Sequence, residues 1–407
     1  MIDRRELLRV LGGIPFLGGM ASTAVMGSIV EQSWLRPIIG RERDLFKELG
    51  LRTFINCAGP FTSMTGCLMP DEVLDAIKRT GQDYVDLNAL HDRVGERIAK
   101  LLECEGAVVS SGCFGAMSIG VAGVMTGTDR EKIQQLPNTE GMKDEIIVQE
   151  SHAGGYSHAL TNIGAKLVTV KTAADVDLAV NDKTAMMWFL NKANNKGELD
   201  DKAWVALGEK HNIPTFNDCA SDIPPLDNLF RFTRMGFDLV AFSGGKGLRG
   251  PQSAGLLLGK KKYTDAARLN APPSVNIGRG MKVNKEEIIG MLIALEIYLA
   301  KDHGEEWKMW EAQIALIKEA VDSVDGITSE VYLPEIANEV PTLLVTWDQE
   351  GGHATYAEVR KKLRMGHPAI EIWPHDTDMQ ITTWMMEPGQ ERAVAYRVKE
   401  VLAEALS

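Results

Sequence analysis

Lys246 is the residue on which the chemistry of this chain turns. It follows an apolar run at 239–242 and the small residues Ser243, Gly244 and Gly245, and a second apolar run covers 254–258. Both runs read as buried strands, so the lysine stands in a glycine-rich hairpin between them. Burial makes a neutral amine available. A neutral amine at a strand end suits Schiff-base chemistry with an aldehyde cofactor. The alternative is a solvated lysine in a turn. Two stations precede it. Ser110-Ser111-Gly112-Cys113 joins a short strand, 107–109, to an apolar helix, 114–125. That order points backbone N–H groups and the positive end of a helix dipole at an anion; a tight turn without a ligand is the alternative. Asp218 ends a buried run, 28 positions before Lys246. A lone aspartate at a strand end otherwise serves as a helix cap.

The stretch Ser243-Gly244-Gly245-Lys246-Gly247-Leu248-Arg249-Gly250-Pro251-Gln252-Ser253-Ala254-Gly255 resembles the cofactor-lysine segment of the bacterial selenocysteine synthase family, which also holds smaller ammonia-lyase relatives. The resemblance extends over most of residues 52–364. It implies an α/β chain of fold type I (aspartate-aminotransferase-like), with a large, mainly parallel seven-stranded sheet domain and a smaller α+β C-terminal domain. It implies pyridoxal 5'-phosphate as cofactor. Lys246 then carries the cofactor, and Asp218 pairs with its ring nitrogen. Ser111, Gly112 and Cys113 cup its phosphate, with a hydroxyl added by Ser243. The family usually has an acidic residue just before the lysine; here that position is Gly245, a departure that touches substrate handling.

Other candidates come from strand ends and from basic residues. Ser151-His152-Ala153 follows a strand at 145–150, and ligands of doubly wound sheets bind outside such ends. The ring of His152 is the candidate to stack on the cofactor; the alternative is a surface histidine with no ligand. The polar loop 191–197 also follows a strand and can face the site. An amino-acid substrate needs a carboxylate clamp, which arginine supplies bidentately. Arg364 is the first candidate, with Arg279 and Arg249 behind it; a solvated side chain is the alternative for each.

The elements that must position these residues alternate strand and helix up to about residue 270, then change at Pro272-Pro273 to an α+β pattern. Residues 61–273 are expected to form the large cofactor-binding domain, 274–407 the small domain and 31–60 a lead-in. The first 30 residues differ. Arg4-Arg5, then leucines and 21 uncharged residues from Val10 to Val30, resemble a twin-arginine export signal, with Asp3 where Ser or Thr is usual. This implies export to the periplasm by the twin-arginine machinery; an uncleaved membrane anchor or a cytoplasmic helix are the alternatives.

At 407 residues, with 44% hydrophobic and 25% charged positions, the chain suits a large soluble globular core. A net charge of −12 argues against nucleic acid as a partner. Five scattered cysteines give neither a disulfide framework nor a zinc motif. The expected activity is an α,β-eliminating lyase of the ammonia-lyase type, acting on a small amino acid or amino sugar acid, in a homodimer or larger homo-oligomer. Transamination, racemisation or side-chain cleavage in the maturation of a secreted metabolite is the alternative. True selenium transfer to seryl-tRNA and a non-catalytic binding role are less favoured.

Overall fold

Short apolar strands buried on both faces build the centre of the molecule, as a parallel sheet covered by helices requires. The computed structural model describes residues 43–349 and 353–406. The export-signal-like segment, residues 1–30, lies outside the described residues. The chain divides into two units, residues 1–53 and 54–407. In the first, Asp44 caps the short helix Leu45–Glu48, accepting the Lys47 N–H at 3.0 Å. No helix among the described residues is long and apolar enough to cross a membrane.

The second unit begins with strand β1 (Ile55–Cys57) and helices α1 (Asp71–Thr80) and α2 (Leu87–Leu101). The main sheet follows. It comprises β2 (Gly106–Ser111), β3 (Glu145–Gln149), β4 (Lys166–Val170), β5 (Thr184–Leu190), β6 (Thr215–Asp218), β7 (Leu239–Ser243) and β8 (Ala254–Gly259), hydrogen-bonded in the order β2-β8-β7-β6-β5-β3-β4. Strands β4, β3, β5, β6 and β7 are mutually parallel, and β8 runs antiparallel to both its neighbours. This is the seven-stranded, mainly parallel sheet that the sequence implied.

Helix α3 (Gly112–Thr126) starts at the residue after β2, and twelve of its fifteen residues are buried. A helix apolar all round belongs inside a core. Here it lies in one face of the sheet with Trp188, Phe216 and Leu257. The opposite face packs Met187, Phe189, Val240 and Leu256 with Trp204 of α4 (Asp201–His211), Phe232 of α5 (Asn228–Met235) and Leu295 further along the chain. Helix α6 (Lys261–Asn270) follows β8, and Leu295 belongs to α7 (Lys285–Ala300), whose start is a capping box of Asn284 and Glu287. The sequence reading assigned nothing to α5 and α6, whose polar residues hide their buried faces.

The C-terminal part continues with α8 (His303–Asp322), β9 (Ile327–Tyr332), β10 (Thr342–Trp347), α9 (Tyr356–Met365), β11 (Ile370–Ile372), β12 (Met379–Thr382) and α10 (Glu391–Leu406). Strands β12, β10 and β9 form an antiparallel sheet. Strand β1, from the expected lead-in, pairs in parallel with β11, Ile55 opposite Ile370.

Register brings the chemistry to one edge. Ser111 pairs with Ala254, Ser243 with Gly255, and Asp218 with both Ala241 and Leu190. The last residues of β2, β5, β6 and β7 therefore end beside one another, next to the hairpin that carries Lys246.

Candidate active site

A cavity of about 390 Å³ opens at that edge. Lys246, Asp218, Ser111, Gly112, Cys113 and Ser243 all line it. These six residues come from three separate segments, whose strand ends the sheet register sets together.

Asp218 is buried to 2% exposure at the end of β6. Its Oδ1 accepts the Ala220 N–H at 3.1 Å and the Cys113 thiol at 3.3 Å. Burial raises its carboxyl; these two donors and the Lys246 ammonium oppose that rise. Lys246 is moved the other way. Burial lowers its amine, against the pull of Cys113, Asp218 and Asp222. The result is a largely enclosed amine with acidic groups near it, which suits both condensation with an aldehyde and later proton transfer.

At the other wall, α3 presents its N-terminus. Ser111 is its N-cap, yet the side chain of Ser111 bonds no helix N–H. The first backbone donors of a fifteen-residue helix are thus uncapped by that side chain, beside the hydroxyl of Ser243. Gly112 takes φ +67° to turn strand into helix at once. Gly255 faces it so closely that a Cβ there would stand 2.3 Å from the Gly112 carbonyl carbon. The cradle is therefore formed by backbone that no side chain fills.

These features fit pyridoxal phosphate. The open helix N-terminus matches a phosphate, the buried carboxylate matches a ring nitrogen, and the amine matches an aldehyde. Phe61, Met117, Leu190 and Ala220 add apolar wall for a flat ring.

His152 stands elsewhere than the sequence suggested. It is buried, and the cavity is not lined by it. Its Nδ1 accepts the Leu190 N–H at 3.1 Å, its Nε2 lies 3.1 Å from the Ala193 carbonyl, and its ring meets Phe189 edge-on at 4.4 Å. Burial lowers the imidazole to about 4, so it is neutral near pH 7. In this chain it holds the wall of the cavity rather than facing into it.

The three arginines also lie off the cavity lining. Arg249 donates to the Trp384 carbonyl at 2.5 Å and lies 4.0 Å from Glu306. Arg364 is paired with the buried Glu371. Arg279 is exposed in the turn Ile277–Gly280. The cations that do line the cavity are Lys246 and Lys192. Lys192 belongs to the polar loop 191–197 that sequence reading turned toward the site. Asp222 and Trp373, also in the lining, were not singled out in the sequence; Asp222 sits in irregular chain, and Trp373 ends a stretch, 369–373, that reads as a strand while the observed strand stops at Ile372.

A twisted, mainly parallel sheet with a lysine hairpin, a buried strand-end aspartate and an open helix N-terminus at one edge defines a fold-type-I enzyme dependent on pyridoxal phosphate. The chain belongs to the L-seryl-tRNA selenium transferase family, whose description matches residues 92–325. It is 24% identical over 378 residues to the D-glucosaminate-6-phosphate ammonia lyase of Salmonella typhimurium, covering 89% of this chain and 99% of the relative. It is 25% identical over 376 residues to a 5'-C-glycyluridine monooxygenase-decarboxylase of a Streptomyces species, covering 88% and 92%. A solved D-glucosaminate-6-phosphate ammonia-lyase superposes with a TM-score of 0.78 at 23% identity, over 90% of this chain and all of that one, and shows a common fold.

Proposed function

We propose that this chain is an α,β-eliminating lyase of the ammonia-lyase type, acting on a small amino acid or amino sugar acid. The observation that carries this is the single cavity that joins Lys246, Asp218 and the open start of α3. The near end-to-end likeness to an ammonia lyase favours this branch of the chemistry.

Ser111, Gly112, Cys113 and Ser243 would hold the cofactor phosphate, Asp218 its ring nitrogen and Lys246 its aldehyde carbon. When bound, the cofactor supplies an electron sink for the bond broken at the substrate α-carbon. The Lys246 amine, whose pKa burial lowers, would take the α-proton on Nζ. Asp218, whose burial-raised carboxyl is opposed by the Cys113 and Ala220 donors and by Lys246, would pair with the protonated ring nitrogen. Lys192 and the unpartnered Nε1–H of Trp373 would face the substrate carboxylate.

Export through the twin-arginine route, supported by residues 1–30, and a homo-oligomeric state belong to the same reading. The likeness to a monooxygenase-decarboxylase at 25% identity favours a second branch, loss of the substrate carboxylate.

The test is the visible spectrum of the purified protein, then borohydride reduction and peptide mapping, then a screen of amino acids for ammonia, keto-acid and carbon dioxide release. A visible band with the label on Lys246, and ammonia with keto acid among the products, supports the lyase. Carbon dioxide without ammonia favours the second branch. A colourless protein that takes up no cofactor refutes both.

A further inference from the structure

One acidic group in the cavity has no part in the roles above. Asp222 is 1% exposed and lines the cavity with Lys246 and Asp218. Its backbone is pinned: its N–H donates to the Cys219 carbonyl at 3.3 Å, and its own carbonyl accepts from Asn228 at 2.8 Å. Its side chain is held at one end only. Oδ1 accepts the Asn191 amide at 2.6 Å, and Oδ2 is buried without a partner.

A buried carboxylate with one neutral donor and a bare second oxygen is a poor structural element. Its desolvation is not repaid by the bonds it makes. Asp218 and Glu339 deepen this with negative charge, while the Asn191 bond and the positive charge of Lys246 oppose it. Burial, with Asp218 and Glu339, pushes its carboxyl up to about 7 against Asn191 and Lys246, so it holds a proton through the acid range and part of the way at neutrality. A carboxylic acid kept protonated beside an amine base is the pairing that elimination requires.

We propose that Asp222 is the catalytic acid that protonates the departing oxygen on the substrate β-carbon, which makes the substrate an amino acid hydroxylated at that carbon. This rests on the lyase reading. Lys246 Nζ takes the α-proton, and the pair of electrons from that C–H bond forms the Cα–Cβ double bond. The Cβ–O bond breaks, its electrons leave with oxygen, and Oδ2 of Asp222 gives that oxygen a proton, so water departs. Lys246 ends protonated and Asp222 ionised, and a proton returned between them resets the pair. Hydrolysis of the resulting enamine, through its imine tautomer, consumes one water and gives ammonia and keto acid.

The experiment compares wild type, Asp222→Asn and Asp222→Glu in heavy water. The probes are D-glucosaminate and D- and L-serine, which carry a β-hydroxyl, and D- and L-alanine, which do not. The expected result in Asp222→Asn is α-deuterium uptake by alanine within about threefold of wild type, with ammonia release from the hydroxylated probes down about 100-fold or more. Asp222→Glu restores part of it. An infrared carbonyl band of a protonated carboxyl, fading as pH rises through neutrality, is present in wild type and missing in Asp222→Asn. Undiminished ammonia release in Asp222→Asn, an unchanged infrared band, or equal loss of deuterium uptake and elimination overturns the assignment. Deuterium uptake without ammonia release in wild type removes the lyase reading itself, and the acid role goes with it.

Discussion

The thiol of Cys113 donates to Oδ1 of Asp218 across 3.3 Å, joining the first turn of α3 to the end of β6 over 105 residues of chain. Burial and the neighbouring carboxylate raise that thiol well above its usual range, so it acts as a donor and not as a thiolate. The bond favours ionised Asp218, the form needed opposite a protonated ring nitrogen. Cys113→Ala removes one of two hydrogen-bond donors, so the pKa of Asp218 rises. The acidic limb of the kcat/KM–pH profile should then move to higher pH, by about one unit at most given the strength of a weak donor to a charged group. Cys113→Ser should restore the profile. A pH titration of turnover for the three proteins checks this.

Gly245 occupies the position where the family resemblance leads one to expect an acid. A Cβ at Gly245 would lie 2.3 Å from the Cα of Gln252, backbone that cannot rotate away. The two limbs of the lysine hairpin are therefore closed more tightly than an acidic residue allows. Gly245→Asp should destabilise the protein by about 1–3 kcal/mol, the usual cost of overpacking, and loosen Lys246. Thermal unfolding and the fraction of cofactor fixed by borohydride should fall together. A variant with wild-type melting temperature would show that the hairpin has room.

The strong signals in the sequence were those that depend on strand ends. Lys246, Asp218 and Ser111-Gly112-Cys113 each follow a short apolar run, and the sheet brings those strand ends to one edge, so strand order together with the family resemblance located them. His152 obeys the same rule and yet turns away, because its Nδ1 takes the Leu190 N–H; which way a ring rotates after a strand is a tertiary matter. Arg364 and Arg249 have the right chemistry but spend it on Glu371 and on the Trp384 carbonyl. Asp222, four residues past Asp218, carried no assignment from the sequence, since only the folded cavity shows that its second oxygen is buried.

The raised carboxyl of Asp222 makes stability fall with pH. The folded state holds that proton to about pH 7 while an unfolded aspartate loses it near 3.8. The folded chain thus binds more protons in between, and the stabilisation present below about pH 4 is lost as pH rises through 7. A difference of about three units corresponds to a few kcal/mol. Asp222→Asn removes the titration, so its melting temperature relative to wild type should be higher at pH 8 than at pH 5. His91 acts in the opposite sense. Burial lowers it to about 4, and both its ring nitrogens are buried without partners. An unfolded histidine binds a proton first, so stability drops as pH falls from about 6.5 toward 4. His91→Leu should flatten that acid limb. Melting curves across pH 4–8 at fixed cofactor resolve the two.

Lys192 and the arginines separate by what their loss would do. Lys192 lines the cavity and is exposed. If it receives the substrate carboxylate, Lys192→Ala loses a charge-assisted bond worth about 1.5–3 kcal/mol. KM should rise about 10- to 100-fold, with kcat changed by less than about fivefold, because such binding is shared by ground and transition states. Arg364→Ala should do the reverse. Glu371 is 6% exposed and its Oε2 already lacks a partner, so removing the guanidinium leaves a buried carboxylate unpaired. The melting temperature should fall while KM stays near wild type. Arg279→Ala, an exposed side chain, should change neither. Steady-state kinetics beside thermal unfolding for the three variants decides it. A KM effect confined to Arg364→Ala would move the carboxylate site to the C-terminal part of the chain, and Lys192 would then be left as a solvated residue at the cavity mouth.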